Sequence, residues 1–296
     1  MGTSSPLKVC PATQGNHYLY FRPKTLLEAT QTLAGEQAQI LSGGTDFFPA
    51  LGERRVQGAV MDVSGIAELK GVTREGNYLR IGGLTTWSEI IVAPLPRYLD
   101  ALKLAAQEVG GVQIQNRGTI AGNLCNASPA ADGVPPLLAL NAEVELSSLQ
   151  GTRHIPLSDF IVGNRKTLRR YDEILSYVLV PLDLEHAAST FLKLGARRYL
   201  VISIAMVAVA LQTDAKGTIS DARVAVGSCS VKAQRLTELE RDLIGASARP
   251  RLGSIAQDKH LGVLSPIDDV RATAGYRLSA ARTLIARALD TCAGSC

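Results

Sequence analysis

The sequence predicts an α+β fold in two domains. The chain has 296 residues, and domains of about 150 residues are typical. Hydrophobic residues make up 46% and charged residues 20% of the chain, as in ordinary globular proteins, so it can bury a core without disulfides or metals. Strand and helix patterns mix without strict strand–helix alternation and without an internal repeat, and this arrangement favours the α+β class.

Short strands and capped helices are predicted in the first half of the chain. Thr25 and Glu28 have capping-box spacing before an apolar helical stretch that ends near Leu33, and Thr86 and Glu89 repeat that spacing at a second helix start. Further helices are predicted at Leu99–Val109, where Gly110 and Gly111 break the chain, and at Pro135–Leu140; strands are predicted at Gln39–Leu41, Val60–Val63, Leu79–Ile81, around Val144, Leu146 and Ile155, and at Ile174–Val180.

The second half begins after Pro181, which ends the last of these strands. The best candidate for a domain boundary is 183–188, and 249–257 is predicted to be a loop or weakly helical. Strands are predicted at Thr190–Leu194, Val201–Leu211 and Ala222–Val226, a helix at Leu236–Ile244, and a long amphipathic helix at Asp268–Leu289.

Charge and hydropathy argue against nucleic acid and membranes as partners. The net charge of +4 comes from 31 basic and 27 acidic residues, a balance too even to indicate either, although it suits a small anionic ligand. The longest apolar run, Leu200–Leu211, is about half the ~20 residues that a membrane span needs. Because Met1–Val9 also lacks a hydrophobic stretch, we expect a cytoplasmic protein without a membrane span.

Cysteine and histidine form no recognisable metal or nucleophile motif. The cysteines are scattered and no CxxC occurs, so reduced thiols are expected, and the histidines are isolated and are expected to be surface or structural residues. The sequence also lacks GxGxxG, GxxxxGK[ST], HExxH and GxSxG motifs, so any redox chemistry requires an organic cofactor. These residues are Cys10, Cys125, Cys229, Cys292, Cys296, His17, His154, His186 and His260.

Two segments have the composition of a binding site. In the first, Leu41–Phe47, two glycines directly after a strand let backbone amides approach an anion, and a helix starting near Phe47 would add partial positive charge; the alternative is a plain tight turn. In the second, 116–132, small and polar side chains suit phosphates and sugar hydroxyls while offering little to a core. An exposed loop is the alternative there, although Ile120 and Leu124 set among small residues indicate close packing.

A third segment, Phe191–Tyr199, is basic and ends a predicted strand. It could hold a phosphate or the electron-rich edge of a flavin, and the alternative is a solvated basic turn.

These segments together resemble the flavin subunit of molybdenum hydroxylases, the family of xanthine dehydrogenase, carbon monoxide dehydrogenase and hydroxybenzoyl-CoA reductase. The resemblance covers nearly the whole chain, and two glycine motifs in the family's order are more specific than either alone. It rests on Phe21–Thr25, Ser42–Asp46, Thr119–Asn123, Ala127–Asp132, Ser265–Arg271 and Tyr276–Arg277.

The resemblance implies a two-lobed FAD-binding domain of the vanillyl-alcohol-oxidase (PCMH) type at 15–185. A smaller α+β domain, as in carbon monoxide dehydrogenase flavoprotein, would follow at 188–292. By resemblance, 41–47 would wrap the FAD pyrophosphate with backbone amides and 119–123 would form the other wall. The implied FAD-binding residues are Ile40, Leu41, Ser42, Gly43, Gly44, Thr45, Asp46, Phe47, Val109, Thr119, Ile120, Ala121, Gly122, Asn123, Asp132, Ile174 and Lys193.

Three departures from the family pattern stand out. Ala121 replaces the usual second glycine; its methyl group is small enough for us to expect tolerance, but its backbone cannot freely adopt positive φ. Tyr199, Leu200 and Val201 follow the basic turn where animal xanthine dehydrogenases carry acidic residues, which puts NAD as acceptor in doubt. The cysteine-rich insertion of hydroxybenzoyl-CoA reductases is missing.

The function that the resemblance implies is electron transfer by an oxidoreductase subunit. A large molybdopterin-binding subunit would oxidise substrate, and a small [2Fe–2S] subunit would pass electrons to FAD in this chain and on to NAD, a quinone, ferredoxin or oxygen. The assembly implied is a dimer of heterotrimers. A free-standing FAD oxidase, tethered to FAD through Cys125, and a protein that has lost its flavin are the alternatives.

Overall fold

A computed structural model describes residues 19–295, and its first layer is a small parallel sheet. The sheet has the order β1 (Tyr20–Phe21), β3 (Ala59–Asp62), β2 (Ala38–Leu41). Helix α1 (Leu26–Gly35) connects β1 to β2, and the hydroxyl of its N-cap residue Thr25 accepts a hydrogen bond from the Glu28 amide at 3.1 Å. The first predicted helix start is therefore confirmed.

An antiparallel sheet of five strands forms the second layer. Its strands are β4 (Val72–Glu75), β5 (Tyr78–Gly82), β6 (Glu143–Ser148), β7 (Gly151–Pro156) and β10 (Ile174–Pro181). They lie in the order β4–β5–β10–β6–β7, so β10, the last of the five in the sequence, is the central strand. A separate hairpin is formed by β8 (Ile161–Gly163) and β9 (Lys166–Thr167).

The helices of this part of the chain carry much of its core. Trp87, Tyr98 and Phe160 are its largest fully buried side chains, and the capping box at Thr86 and Glu89 is formed as predicted. The helices are α2 (Phe47–Leu51), α3 (Trp87–Val92), α4 (Asp100–Glu108), α5 (Val112–Gln115), α6 (Ile120–Asn126), α7 (Val134–Ala139) and α8 (Leu157–Phe160).

The C-terminal part is an antiparallel sheet covered on both faces. Alternate residues of strand β12 (Ala205–Thr213) belong to different cores. Val207 and Val209 pack with helix α10 (Ala274–Ala293), whereas Met206 and Ala208 join the core of α4 and α7. A strand buried on both faces is apolar throughout, which explains the long apolar run of the sequence. The elements are β11 (Ala188–Leu194), β12 (Ala205–Thr213), β13 (Ile219–Gly227), β14 (Gln234–Arg235), α9 (Thr237–Leu243) and α10 (Ala274–Ala293).

The α+β class is confirmed, and three local predictions are wrong. The strand predicted from Val201 begins only at Ala205, because the preceding loop turns inward and buries Ser203. The last helix begins at Ala274 rather than Asp268, because the carboxylates of Asp268 and Asp269 bind backbone amides in a turn before the N-cap. The 116–132 segment contains α6, whose apolar face is buried in the core.

The turn before α10 predicts acid sensitivity. Hydrogen bonds from the Arg271 amide and the Arg277 guanidinium lower the pKa of the Asp269 carboxyl to about 2, against an ordinary value of about 3.9. A carboxyl with a depressed folded-state pKa stabilises the protein above its unfolded pKa, and that stabilisation is lost as the pH falls through the folded value. We expect urea unfolding free energies to fall between about pH 4 and pH 2 and to do so less in D269N. D258N is the control, because the Asp258 side chain is 82% exposed. If stability fell with pH in D269N as it does in the parent protein, Asp269 would not be the source of the acid sensitivity.

The described part of the chain contains no helix long and apolar enough to cross a membrane. Cys125 and Cys229 are free thiols. The fully buried His260 ring accepts a hydrogen bond from the Gln257 amide at 3.0 Å and contacts Asp242, which confirms its structural role. Cys10, His17, Cys296 and residues 15–18 of the first predicted domain lie outside the described residues.

Candidate functional site

The two glycine-rich segments meet directly, although 77 positions separate the residues that join them. The hydroxyls of Ser42 and Thr119 are hydrogen-bonded at 2.9 Å. Beside them, a Cβ atom on Gly43 would overlap the carbonyl oxygen of Arg117. Only glycine allows the two backbones to approach this closely.

The first segment presents unused backbone donors. The amides of Gly43, Gly44 and Thr45 donate no hydrogen bond to any of the described residues. Gly44 has φ +76°, a region that favours glycine, and a Cβ there would lie 2.7 Å from the Phe48 ring. Helix α2 begins at Phe47, as predicted, so the segment leads into a helix N-terminus.

The second segment uses its amides within the protein and presents side chains instead. The Thr119 hydroxyl caps α6 by accepting from the Gly122 amide at 3.1 Å, and the amides of Ile120 and Ala121 donate to the carbonyls of Thr85 and Gly83. Ala121 lies within α6, so its backbone does not need a positive φ. The residue is only 7% exposed, and its methyl group is accommodated in the packing.

A cavity of about 940 Å³ lies between these segments, at the large end of the range for ligand sites. Apolar side chains including Leu84, Trp87 and Ile114 form part of its wall, beside the polar glycine-rich segments. The predicted site residues on the wall are Ile40, Ser42, Gly43, Gly44, Thr45, Asp46, Phe47, Val109, Thr119, Ala121, Gly122, Asn123 and Ile174.

The wall chemistry fits FAD. Free amides suit a pyrophosphate, and flat apolar faces suit an aromatic ring system. Asn123 Oδ1 is buried on this wall without a hydrogen-bond partner among the described residues. Since a buried polar atom without a partner is costly, it indicates that a ligand donor completes the site.

Four predicted site residues do not line the cavity. Leu41 lies in β2, and Ile120 is fully buried in the core. Asp132 and Lys193 pair with each other instead: Nζ lies 2.6 Å from Oδ2, and Ser203 donates to the other carboxylate oxygen at 2.6 Å. Lys193 also donates to the Glu108 carbonyl at 3.0 Å, next to Val109 on the cavity wall.

The wall also contains residues that the sequence reasoning did not single out. Trp87 is one, and three cations, Arg165, Lys166 and Arg169, are others. The run of four basic residues at 165–170 was a usable signal, but a charge run by itself indicates a solvated surface. Only the packing of β8–β9 against α6 brings it to the cavity.

Cys125 lies on the cavity wall. Burial raises its pKa to about 11, although the Arg169 charge opposes this rise. Since the thiolate is the nucleophile, a thiol with this pKa attacks poorly near neutral pH. The raised pKa therefore does not favour a covalent flavin link through Cys125.

Comparisons with known proteins agree with the site. Residues 13–183 match the family described as the FAD binding domain in molybdopterin dehydrogenase, and residues 190–292 match the CO dehydrogenase flavoprotein C-terminal domain. The chain is 32% identical over 276 residues to a putative xanthine dehydrogenase FAD-binding subunit of Escherichia coli K12, covering 92% of this chain and 94% of that protein. It is 35% identical over 235 residues to a nicotinate dehydrogenase FAD-subunit of Eubacterium barkeri, covering 77% and 79%.

A solved structure shows the same architecture. The similar chain comes from a carbon monoxide dehydrogenase of Hydrogenophaga pseudoflava that lacks the Mo-pyranopterin moiety of its cofactor. It superposes with a TM-score of 0.87 at 27% identity, covering 96% of this chain and all of that one. The chain therefore belongs to the family of FAD-binding subunits of molybdenum hydroxylases.

Proposed function

We propose that this subunit binds FAD between 42–47 and 119–123 and relays electrons through it. The observation that carries the proposal is the junction of the two segments at Ser42 and Thr119. It places 43–45, whose amides donate no hydrogen bond to the described residues, on the wall of a cavity of suitable size. FAD supplies the redox chemistry when bound, and the protein binds it, orients it and excludes water.

The roles of the chain's own residues follow from their positions. The amides of 43–45 would bind the pyrophosphate, and Asn123 Oδ1 would accept a hydrogen bond from the ligand. Ile40 and Ile174 would pack against its flat parts. The buried pair of Asp132 and Lys193 would hold the wall at Val109 in place, since Lys193 binds the neighbouring carbonyl.

The relatives support a place in a larger assembly. They are named as subunits or medium chains, among them the carbon monoxide dehydrogenase medium chain of Hydrogenophaga pseudoflava, 28% identical over 281 residues. We propose that a small [2Fe–2S] subunit delivers electrons to the FAD, that a large molybdopterin-binding subunit oxidises the substrate, and that the complex is a cytoplasmic dimer of heterotrimers. Domains at 15–185 and 188–292 complete this proposal.

Flavin content tests the proposal. We expect the purified subunit, alone or isolated with its partner subunits, to show flavin absorption in the visible range and to release FAD, rather than FMN, on denaturation. Addition of a reductant should bleach that absorption reversibly. A protein that remains colourless in both preparations, and that takes up no added FAD, would contradict the proposal.

A further inference from the structure

A basic hairpin forms part of the cavity wall. Strands β8 and β9 lie beside the end of α6, where the Arg165 amide donates to the Ala127 carbonyl at 2.9 Å and its guanidinium donates to the Asn126 side chain. Arg165, Lys166 and the nearby Arg169 line the cavity. The cations are therefore part of the same cavity as the glycine-rich segments.

These cations have no acidic partner within the described part of the chain. Among the described residues, no carboxylate oxygen lies within 4 Å of a side-chain nitrogen of Arg165, Lys166 or Arg169, and Asp46 is the one acidic residue that lines the cavity. Three positive charges against one negative leave two uncompensated. A ligand with two negative charges would balance them, and the pyrophosphate of FAD carries two at neutral pH.

Among the described residues, the Arg169 guanidinium is held in place by hydrogen bonds from only one of its nitrogen atoms. Its Nη1 donates to the carbonyls of Arg170 at 3.0 Å and Glu173 at 2.7 Å. Glu173 is itself buried and bound by Arg153 at 2.6 Å and by the Arg170 amide at 2.7 Å, so the turn is fixed. Within residues 19–295 the Arg169 Nε and Nη2 have no acceptor, which leaves a pre-oriented pair of donors.

We propose that Arg169, supported by Arg165 and Lys166, binds the phosphate-bearing ADP half of FAD, in addition to the amides of 43–45. This inference rests on the proposed FAD function and extends it to residues outside the glycine motifs. A planar guanidinium held by carbonyls and free of carboxylates is suited to phosphate oxygens, where charge-assisted hydrogen bonds are strong. These three cations therefore make FAD affinity depend on the diphosphate and on salt.

The test compares R169Q with R170Q in the full chain, or in its complex if the subunit binds FAD only there. Arg170 is exposed, and its side chain does not line the cavity. We expect R169Q to raise the Kd for FAD about tenfold or more, the loss of one charge-assisted contact, and R170Q to change it less than about threefold. R169Q should also flatten the dependence of log Kd on log salt, and ADP should compete with FAD less well than in the parent.

Thermal unfolding of the apoproteins checks that R169Q remains folded, and R169K and R165Q/K166Q provide independent variants. The inference would be overturned if the parent protein binds FAD and both R169Q and R165Q/K166Q bind it with unchanged Kd and unchanged salt dependence. That result would leave the proposed function standing. Failure of the parent to bind FAD at all would instead contradict the proposed function.

Discussion

Replacing Lys193 with methionine should destabilise the protein by about 3–5 kcal/mol, because it leaves a buried carboxylate unpaired. The side chains of Lys193 and Asp132 are 4% and 8% exposed, and Nζ lies 2.6 Å from Oδ2. Burial raises the pKa of the Asp132 carboxyl above its ordinary value, while Lys193 and Ser203 oppose the rise. Loss of the ammonium removes the larger opposing interaction.

The pH dependence of K193M follows from this geometry. With a raised folded-state pKa, Asp132 binds its proton more tightly in the folded than in the unfolded protein, so stability falls as the pH rises from the unfolded through the folded value. K193M should therefore regain stability as the pH falls, and K193M/D132N should recover part of the loss at neutral pH. Urea unfolding of the four proteins of this cycle measures the coupling.

Lys259 provides the matched control for Lys193. It forms an ion pair of nearly the same length, 2.7 Å, with Asp242, but the two side chains are 52% and 38% exposed. Solvent screens such a pair, so K259M should change stability little. If K193M were no less stable than K259M, the buried pair would not hold the cavity wall at Val109 in place as proposed.

Local signals account for the elements that the sequence predicted well. The N-caps at Thr25 and Thr86 could be predicted because each involves a glutamate only three residues further along the chain. Both predicted helix starts are confirmed. Helix α6 was missed because its small residues indicate a loop when taken alone. They are small because Ala121 packs against Gly83, where an added Cβ would lie 3.1 Å from the Ala121 methyl group, and this contact is not visible in the local sequence.

The site was only partly predictable for the same reason. The residues of both glycine motifs could be named through the family resemblance, whereas the contact of Gly43 with Arg117 and the pairing of Asp132 with Lys193 come from the tertiary fold. The cation Arg169 shows the limit of sequence-based prediction most clearly. Arg169 becomes a candidate ligand only because carbonyls hold it and no carboxylate neutralises it among the described residues, neither of which the order of residues reveals.

Replacing Gly43 with alanine should disrupt the site more than any other single methyl group added to the first glycine segment. The new Cβ would overlap the Arg117 carbonyl oxygen, which is backbone and cannot rotate away. The two segments must then move apart, at a cost of about 1–3 kcal/mol for forced overpacking. Because that movement displaces the amides of 43–45 from the Asn123 wall, FAD affinity should fall at least about tenfold.

Two comparisons separate the clash from a general effect of substitution. Gly275 lies near the start of α10 with no atom within 4 Å of an added Cβ, so G275A should be neutral or stabilising by roughly 0.5–1 kcal/mol. S42A removes the hydroxyl contact with Thr119, at a cost of about 1 kcal/mol, but leaves the backbones in contact. If the backbone contact holds the site together, the Kd for FAD should be lowest in G275A, higher in S42A and highest in G43A. Equal Kd values for S42A and G43A would mean that the Ser42–Thr119 hydrogen bond holds the site together instead.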